Sequence, residues 1–263
     1  MKKKLHERSH REKYDIDNLS SIEARERAKS FINLLLPKTP NILLKRYGSQ
    51  YDGGYVLADD ISTTDYLLSF GVASNVAFED DISSKVAGMD LYDPNVNMLP
   101  HPIPNGRFFK EKITWHSNED SADIKKCMAR VPDKADYILK IDIEGFEWEF
   151  FTSVSEEDLL KFRQVVIEFH WIDKILDSQY YEVIKNALIK MNTTHQSVNV
   201  HGNNYGDIVQ FNDIFIPEVL EVTFLRKNSY TFGHYSEEQY DKLNAPCNPN
   251  FIDISFVYRK EIQ

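Results

Sequence analysis

Three short stretches of this 263-residue chain put carboxylates, histidines and amides where they can act together. Lys140-Ile141-Asp142-Ile143-Glu144-Gly145 ends a run that reads as a buried strand. Side chains alternate along a strand, so Asp142 and Glu144 share a face and Ile141 and Ile143 take the other. Two carboxylates on one face are costly to bury without partners, so they suit a site better than a core. The next apolar run ends in Glu168-Phe169-His170-Trp171, where Glu168 and His170 again share a face. A later strand closes on His201-Gly202-Asn203-Asn204. A histidine with two amides offers hydrogen bonds in several directions, which suits a polyhydroxylated ligand.

The chemistry these residues favour is activation of a hydroxyl. An alcohol is a poor nucleophile until its proton is leaving, and imidazole titrates in the right range to take it. His170 and His201, with Asp142, are therefore the candidate catalytic residues. The other route is a divalent ion such as magnesium on Asp142, Glu168 and His170, two oxygen donors and an imidazole, although their spacing is not diagnostic of a metal.

The elements that must position these residues alternate. Apolar runs at 65–70, 88–94, 111–117, 136–145 and 163–171 read as strands; 75–86, 119–130, 146–162 and 178–191 read as helices, with a fresh cap at Ser153 to Ser155. Strand-helix alternation predicts a parallel sheet with helices on both faces. Residues 95 to 110, with Pro100, Pro102 and Pro104, read as loop. Strand patterns at 194–202, 217–227 and 251–259 predict an antiparallel edge on that sheet. Ahead of this, residues 20–36 form an amphipathic helix capped by Ser20 or Ser21 with Glu23 reaching back. Asp52-Gly53-Gly54 turns one strand into another. The chain divides into a tail and helical extension, 1–44, and one α/β domain, 45–263.

In open α/β sheets, ligands bind at the carboxyl ends of the strands. After the first strand comes Gly71-Val72-Ala73-Ser74-Asn75 and then a helix, a turn that admits close approach of a ligand to the backbone. Asp93 follows the second strand, 22 positions after Gly71, where a carboxylate can accept from both ribose hydroxyls. An acidic residue there disfavours a 2′-phosphate, and the single glycine disfavours a dehydrogenase.

The formal net charge is −10, which argues against a groove that tracks nucleic-acid phosphates. No apolar run reaches the length of a membrane span. The two cysteines, Cys127 and Cys247, lie in no metal or redox pattern and read as reduced thiols of a cytoplasmic protein. The basic N-terminus, MKKKLHERSHREK, lacks the apolar core of a secretory signal and reads as a tail. Self-association into a homo-oligomer is left open.

DGGYVL (52–57), LLSFGVASNVAFE (67–79), YDP (92–94), LKIDIEGFEWE (139–149), VVIEFHW (165–171) and VHGNN (200–204) occur in the order seen in a known family. On these motifs the chain resembles the FkbM-like S-adenosylmethionine-dependent methyltransferases over about residues 45 to 205, and LNAPCNPNFIDISFVY (243–258) resembles their closing strand. The resemblance implies a Rossmann-like class I methyltransferase fold, a seven-stranded, mostly parallel sheet with an antiparallel strand. It implies S-adenosylmethionine over Gly71 to Asn75, Ser74 included, with Asp93 on the ribose and Asp142 on the amino group of the methionine part. Glu79, Gly54 and Tyr55 are implied nearby. Ala73 and Asn75 stand where the common fingerprint has further glycines. The implied reaction is methyl transfer to a hydroxyl of a sugar or sugar nucleotide, as in polysaccharide biosynthesis, with Glu144, Trp171, Asn203 and Asn204 on the acceptor. A small non-sugar acceptor, or a binding module that keeps the fold, is the alternative.

Overall fold

The computed structural model describes residues 20–133, 136–235 and 243–255. The basic N-terminal tail and the last part of the 251–259 strand lie outside the described residues. Helix α1 (Ser21–Leu34) starts as expected: the Ser20 hydroxyl accepts from the N–H of Glu23, and the Glu23 carboxylate accepts from the N–H of Ser20. Its apolar side, Ala28, Phe31 and Ile32, enters the main core, so this extension packs with the domain that follows. Strands β1 (Leu44–Gly48) and β2 (Gly54–Ala58) form an antiparallel hairpin around the Asp52-Gly53-Gly54 turn.

The central sheet uses β3 (Tyr66–Phe70), β4 (Gly88–Tyr92), β5 (Gly106–Phe109), β6 (Tyr137–Ile141), β7 (Phe162–Phe169), β8 (His195–Gly202), β11 (Leu220–Arg226) and β12 (Ile254–Ser255). A separate hairpin, β9 (Ile208–Phe211) with β10 (Ile214–Pro217), lies between β8 and β11 in the chain. The spatial order is β12-β8-β11-β7-β6-β3-β4-β5. Every residue of β3, β4, β6 and β7 is buried, the expected fate of near-continuous apolar strands in a parallel sheet. Helices α2 (Ala77–Ser83), α3 (Ile124–Met128), α4 (Glu147–Ser153) and α5 (Ser178–Thr194) carry the crossovers. This is a Rossmann-like arrangement: seven strands, six running one way, with β11 reversed, and β12 added at the edge.

The structure corrects three element expectations. The third parallel strand is Gly106–Phe109, inside the stretch read as loop, and pairs with β4. Its half-exposed side chains show no alternation, and the prolines before it masked it. Within 111–117, Lys112 and Ile113 instead pair with Ser121 and Ala122 in a small separate sheet, which also shortens the 119–130 helix to Ile124–Met128. The antiparallel part of the sheet is distributed: β11 sits inside, between β7 and β8, and β12 on the edge, while β8 runs with the parallel strands.

The chain leaves β3 outward to β4 and β5, then returns to β6 on the other side of β3. The carboxyl ends of β3 and β6 therefore flank a switch-point crevice. The β1–β2 hairpin covers one sheet face there, held by Thr223 Oγ1 donating to the Val56 carbonyl and Ala58 N–H donating to Gln164 Oε1 at 2.8 Å.

His195, at the start of β8, is fully buried between the Thr194 hydroxyl (2.7 Å) and the Phe162 carbonyl (2.8 Å). Burial pushes its pKa down to about 4. An unfolded chain takes up this proton near pH 6.5 and the folded one does not, so stability is lost as pH falls from 6.5 towards 4. The loss due to His195 by pH 5 is about 2 kcal/mol. Urea unfolding at pH 7 and pH 5 checks this: His195→Gln should reduce the pH dependence by that amount, and an unchanged slope would refute it.

Candidate active site

The half of the candidate site expected to take a nucleotide is built on Gly71. It adopts φ +77°, and a Cβ there would lie 1.6 Å from the Asp142 carbonyl oxygen, so only glycine lets the ends of β3 and β6 touch. Its N–H donates to the Tyr92 carbonyl at 2.8 Å, and its own carbonyl accepts from the Lys140 ammonium. The Ala73 N–H donates to Asp93 Oδ2 at 2.8 Å, and the Asn95 N–H to Asp93 Oδ1 at 2.7 Å. Asp93 is thus held facing the Gly71 turn from the end of β4. Ser74 and Asn75 are exposed on that turn, and Asn75 Nδ2 donates to the Asp52 carbonyl at 3.1 Å. This bond seats the Asp52-Gly53-Gly54 turn on the Gly71 loop. Gly54 is a close-packing position, since a Cβ would lie 1.9 Å from the Ser49 carbonyl. Tyr55 OH donates to Asp142 Oδ2 at 3.4 Å, reaching across from the hairpin.

Glu79, which the resemblance implies near the cofactor, lies below the surface. It is 1% exposed, accepts from the Ser69 hydroxyl beneath the loop, and burial raises its pKa. The Ser69 contact ties it to β3, and the Lys140 ammonium, which also reaches the Gly71 carbonyl, acts on its charge.

At the ends of β6 and β7, Asp142, Glu144, Glu168 and His170 do come together. His170 Nε2 lies 3.5 Å from Glu168 Oε1, 3.9 Å from Glu144 Oε2 and 4.0 Å from Asp142 Oδ1. Its Nδ1 is 3.1 Å from Glu147 Oε1, and the same oxygen accepts from the N–H groups of Ile143 and Gly145. Glu147, fully buried at the start of α4, is a residue the sequence reading missed. The signal available was its position one helical turn after the IDIEG strand, where an acid can face the loop amides. Trp148 Nε1 donates to the His170 carbonyl at 2.8 Å and stacks on Phe169, which anchors the backbone of the histidine.

Burial alone would lower the pKa of His170, but Glu147, Glu168 and Asp142 raise it well above the ordinary value. Burial and the Asp142 charge push Glu168 well up. The surrounding carboxylates therefore favour the protonated ring over the neutral one. Glu168 Oε1 accepts from Asn203 Nδ2 at 3.0 Å, so Asn203 does join this centre. The Trp171 ring packs on Gly145, and the Lys174 ammonium sits 3.3 Å from its centroid. Glu144 remains on the rim with its side chain 67% exposed.

His201 and Asn204 lie in the same sheet region but are committed elsewhere. Glu168, Glu221 and His201 form one cross-strand row through β7, β11 and β8. His201 is 1% exposed, with Nδ1 3.1 Å from Glu221 Oε2 and Nε2 2.9 Å from Asp253 Oδ1. These carboxylates overcome burial and lift its pKa to about 9. Both ring nitrogens are occupied and the ring is charged, so a role as proton acceptor is corrected to one of tying β8 to the 243–255 segment. Cys247 completes that cluster, its thiol donating to Glu221 Oε1 at 3.3 Å. Asn204 gives its amide to the carbonyls of Asn248, Phe251 and Ile252 and accepts from the Asn248 N–H, which leaves it no face for an acceptor.

Comparison with known proteins gives no matching family model and no matching curated protein. Solved structures with similar folds include an rRNA methylase from Streptococcus thermophilus (9% identity, 64% of this chain and 90% of that one, TM-score 0.38). An N-methyltransferase, NodS, from Bradyrhizobium japonicum matches at 12% identity over 80% of this chain and 97% of its own, with TM-score 0.35. Spermidine synthase from Thermotoga maritima matches at 10% identity over 82% and 84%, with TM-score 0.36. At such distances function has to be read from the site itself. Among the described residues, no helix is long and apolar enough to cross a membrane.

Proposed function

We propose that this chain is an S-adenosylmethionine-dependent O-methyltransferase of the FkbM-like kind, acting on a hydroxyl of a sugar or nucleotide-sugar. The observation that carries this reading is the meeting of two groups of residues at the strand ends, where the Gly71 backbone packs directly on that of Asp142. The Gly71 turn and Asp93 lie on one side of the switch point, and Asp142, shared with the carboxylate–imidazole centre, lies on the other. An adenosyl cofactor laid over Gly71 to Asn75, with its ribose on Asp93, has its methionine end at Asp142. Its methyl group then points towards Glu168 and His170.

Methyl transfer from a sulfonium is an in-line displacement, so the protein must hold donor and acceptor in line and let the acceptor proton leave. Tyr55 and Asp142 orient the donor. Glu168, steadied by Asn203, and Glu144 receive the acceptor hydroxyls, and the leaving proton passes to a carboxylate of this group. The carboxylates favour an acceptor whose reacting end is uncharged.

Calorimetric titration with S-adenosylmethionine and S-adenosylhomocysteine tests the cofactor reading. Dissociation constants on the order of micromolar are expected. A folded sample that binds neither would remove the proposal and favour a non-catalytic binding module. Transfer of labelled methyl to a panel of sugars, nucleotide-sugars and non-sugar alcohols then tests the acceptor.

A further inference from the structure

We infer that Asp142, Glu168 and His170 form a binding site for a divalent cation at the acceptor end of the crevice. One donor atom from each lies within 4.8 Å of the other two. His170 Nε2 faces Glu168 Oε1 at 3.5 Å and Asp142 Oδ1 at 4.0 Å. These separations are too long for hydrogen bonds. They suit ligands around one ion: with bonds of about 2.1 Å, neighbouring donors in an octahedron are about 3.0 Å apart and opposite ones about 4.2 Å.

The ring is aimed independently of that spacing. Glu147, fully buried, holds Nδ1 at 3.1 Å and is itself fixed by two backbone N–H groups. A carboxylate behind a histidine sets its tautomer and turns the other nitrogen forward as a ligand. Asn203 performs the same orienting role on Glu168 at 3.0 Å. The backbone beneath is tied to the neighbouring strand, the Asp142 N–H donating to the Phe70 carbonyl at 3.0 Å. Two carboxylates and one imidazole suit manganese or magnesium better than a soft ion.

Three protein donors leave positions open towards the crevice. Two neighbouring hydroxyls of the acceptor fill them, one becomes more acidic, and its proton passes to Glu144 on the rim, whose carboxylate lies 3.9 Å from Nε2. That use in catalysis rests on the proposed methyl transfer; the binding of the cation does not.

The test titrates the metal-freed full chain with Mn²⁺, without S-adenosylmethionine, and follows free Mn²⁺ by electron paramagnetic resonance. One saturable site per chain is expected, weakened about tenfold or more in Glu168→Gln and in Glu147→Gln. Bound Mn²⁺ in the unmodified protein should show nitrogen hyperfine coupling from the imidazole, a readout that needs no variant to fold. Absence of saturable binding, or binding without nitrogen coupling, overturns the inference. Either failure leaves the S-adenosylmethionine titration standing as a separate result.

Discussion

Gly71→Ala is expected to lose both stability and cofactor binding. The added Cβ would meet the Asp142 carbonyl oxygen at 1.6 Å, a backbone atom that cannot swing aside. Two hydrogen bonds pin the same junction, Gly71 N–H to Tyr92 and Asp142 N–H to Phe70, so relief requires the ends of β3, β4 and β6 to part. The backbone angle of +77° adds a further cost for any residue with a side chain. Overpacking and left-handed strain together amount to about 3 kcal/mol or more. Chemical denaturation of the variant beside the parent reads this directly, and calorimetry should find no S-adenosylmethionine binding. A variant with parental stability and affinity would show that the β3–β6 junction is looser than its geometry, and would detach Gly71 from the cofactor.

His170→Gln is expected to separate chemistry from binding. The ring lies among the carboxylates at the acceptor end, and the Gly71 turn and Asp93 do not touch it. Single-turnover methyl transfer should fall by roughly 10²–10⁴-fold, because the ring orders the carboxylates that receive the acceptor and its proton. Affinity for S-adenosylmethionine should stay within a few-fold. His201→Gln makes the contrast: it removes a charged ring held between Glu221 and Asp253, so its first effect is on stability, about 3 kcal/mol by analogy with breaking other buried ion pairs. If His201→Gln abolished transfer while leaving stability intact, and His170→Gln did neither, the roles assigned to the two histidines would be reversed.

The contrast between these histidines shows where sequence reading reaches its limit. Both stand at the end of a strand, both alternate with a polar neighbour, and both have the chemistry of a base. His170 is separated from His201 by the partners that fold up around them. Glu147 comes from the helix after β6, and its contact with His170 follows from the tight IDIEG turn. Glu221 and Asp253 come from segments whose direction and place in the sheet are not written locally. Only once β11 runs backwards between β7 and β8 does Glu221 fall opposite His201. Asn203 and Asn204, adjacent in sequence, part in the same way: one reaches Glu168, the other is spent on the 248–252 backbone.

What the sequence by itself determined is local and periodic. Continuous apolar runs specify strands buried on both faces, Ser20 and Glu23 specify a helix start, and strand-helix alternation specifies a parallel sheet with its ligand crevice at the strand ends. The glycine before a helix and the carboxylate 22 residues later follow from the same pattern. Tertiary structure alone decided which strand forms the far edge, because Gly106–Phe109 earns its place by pairing with β4 rather than by its own hydrophobicity. It also decided which titratable groups are charged. A pKa is set by burial and by the charges within a few ångströms, and those charges here arrive from four different segments of the chain.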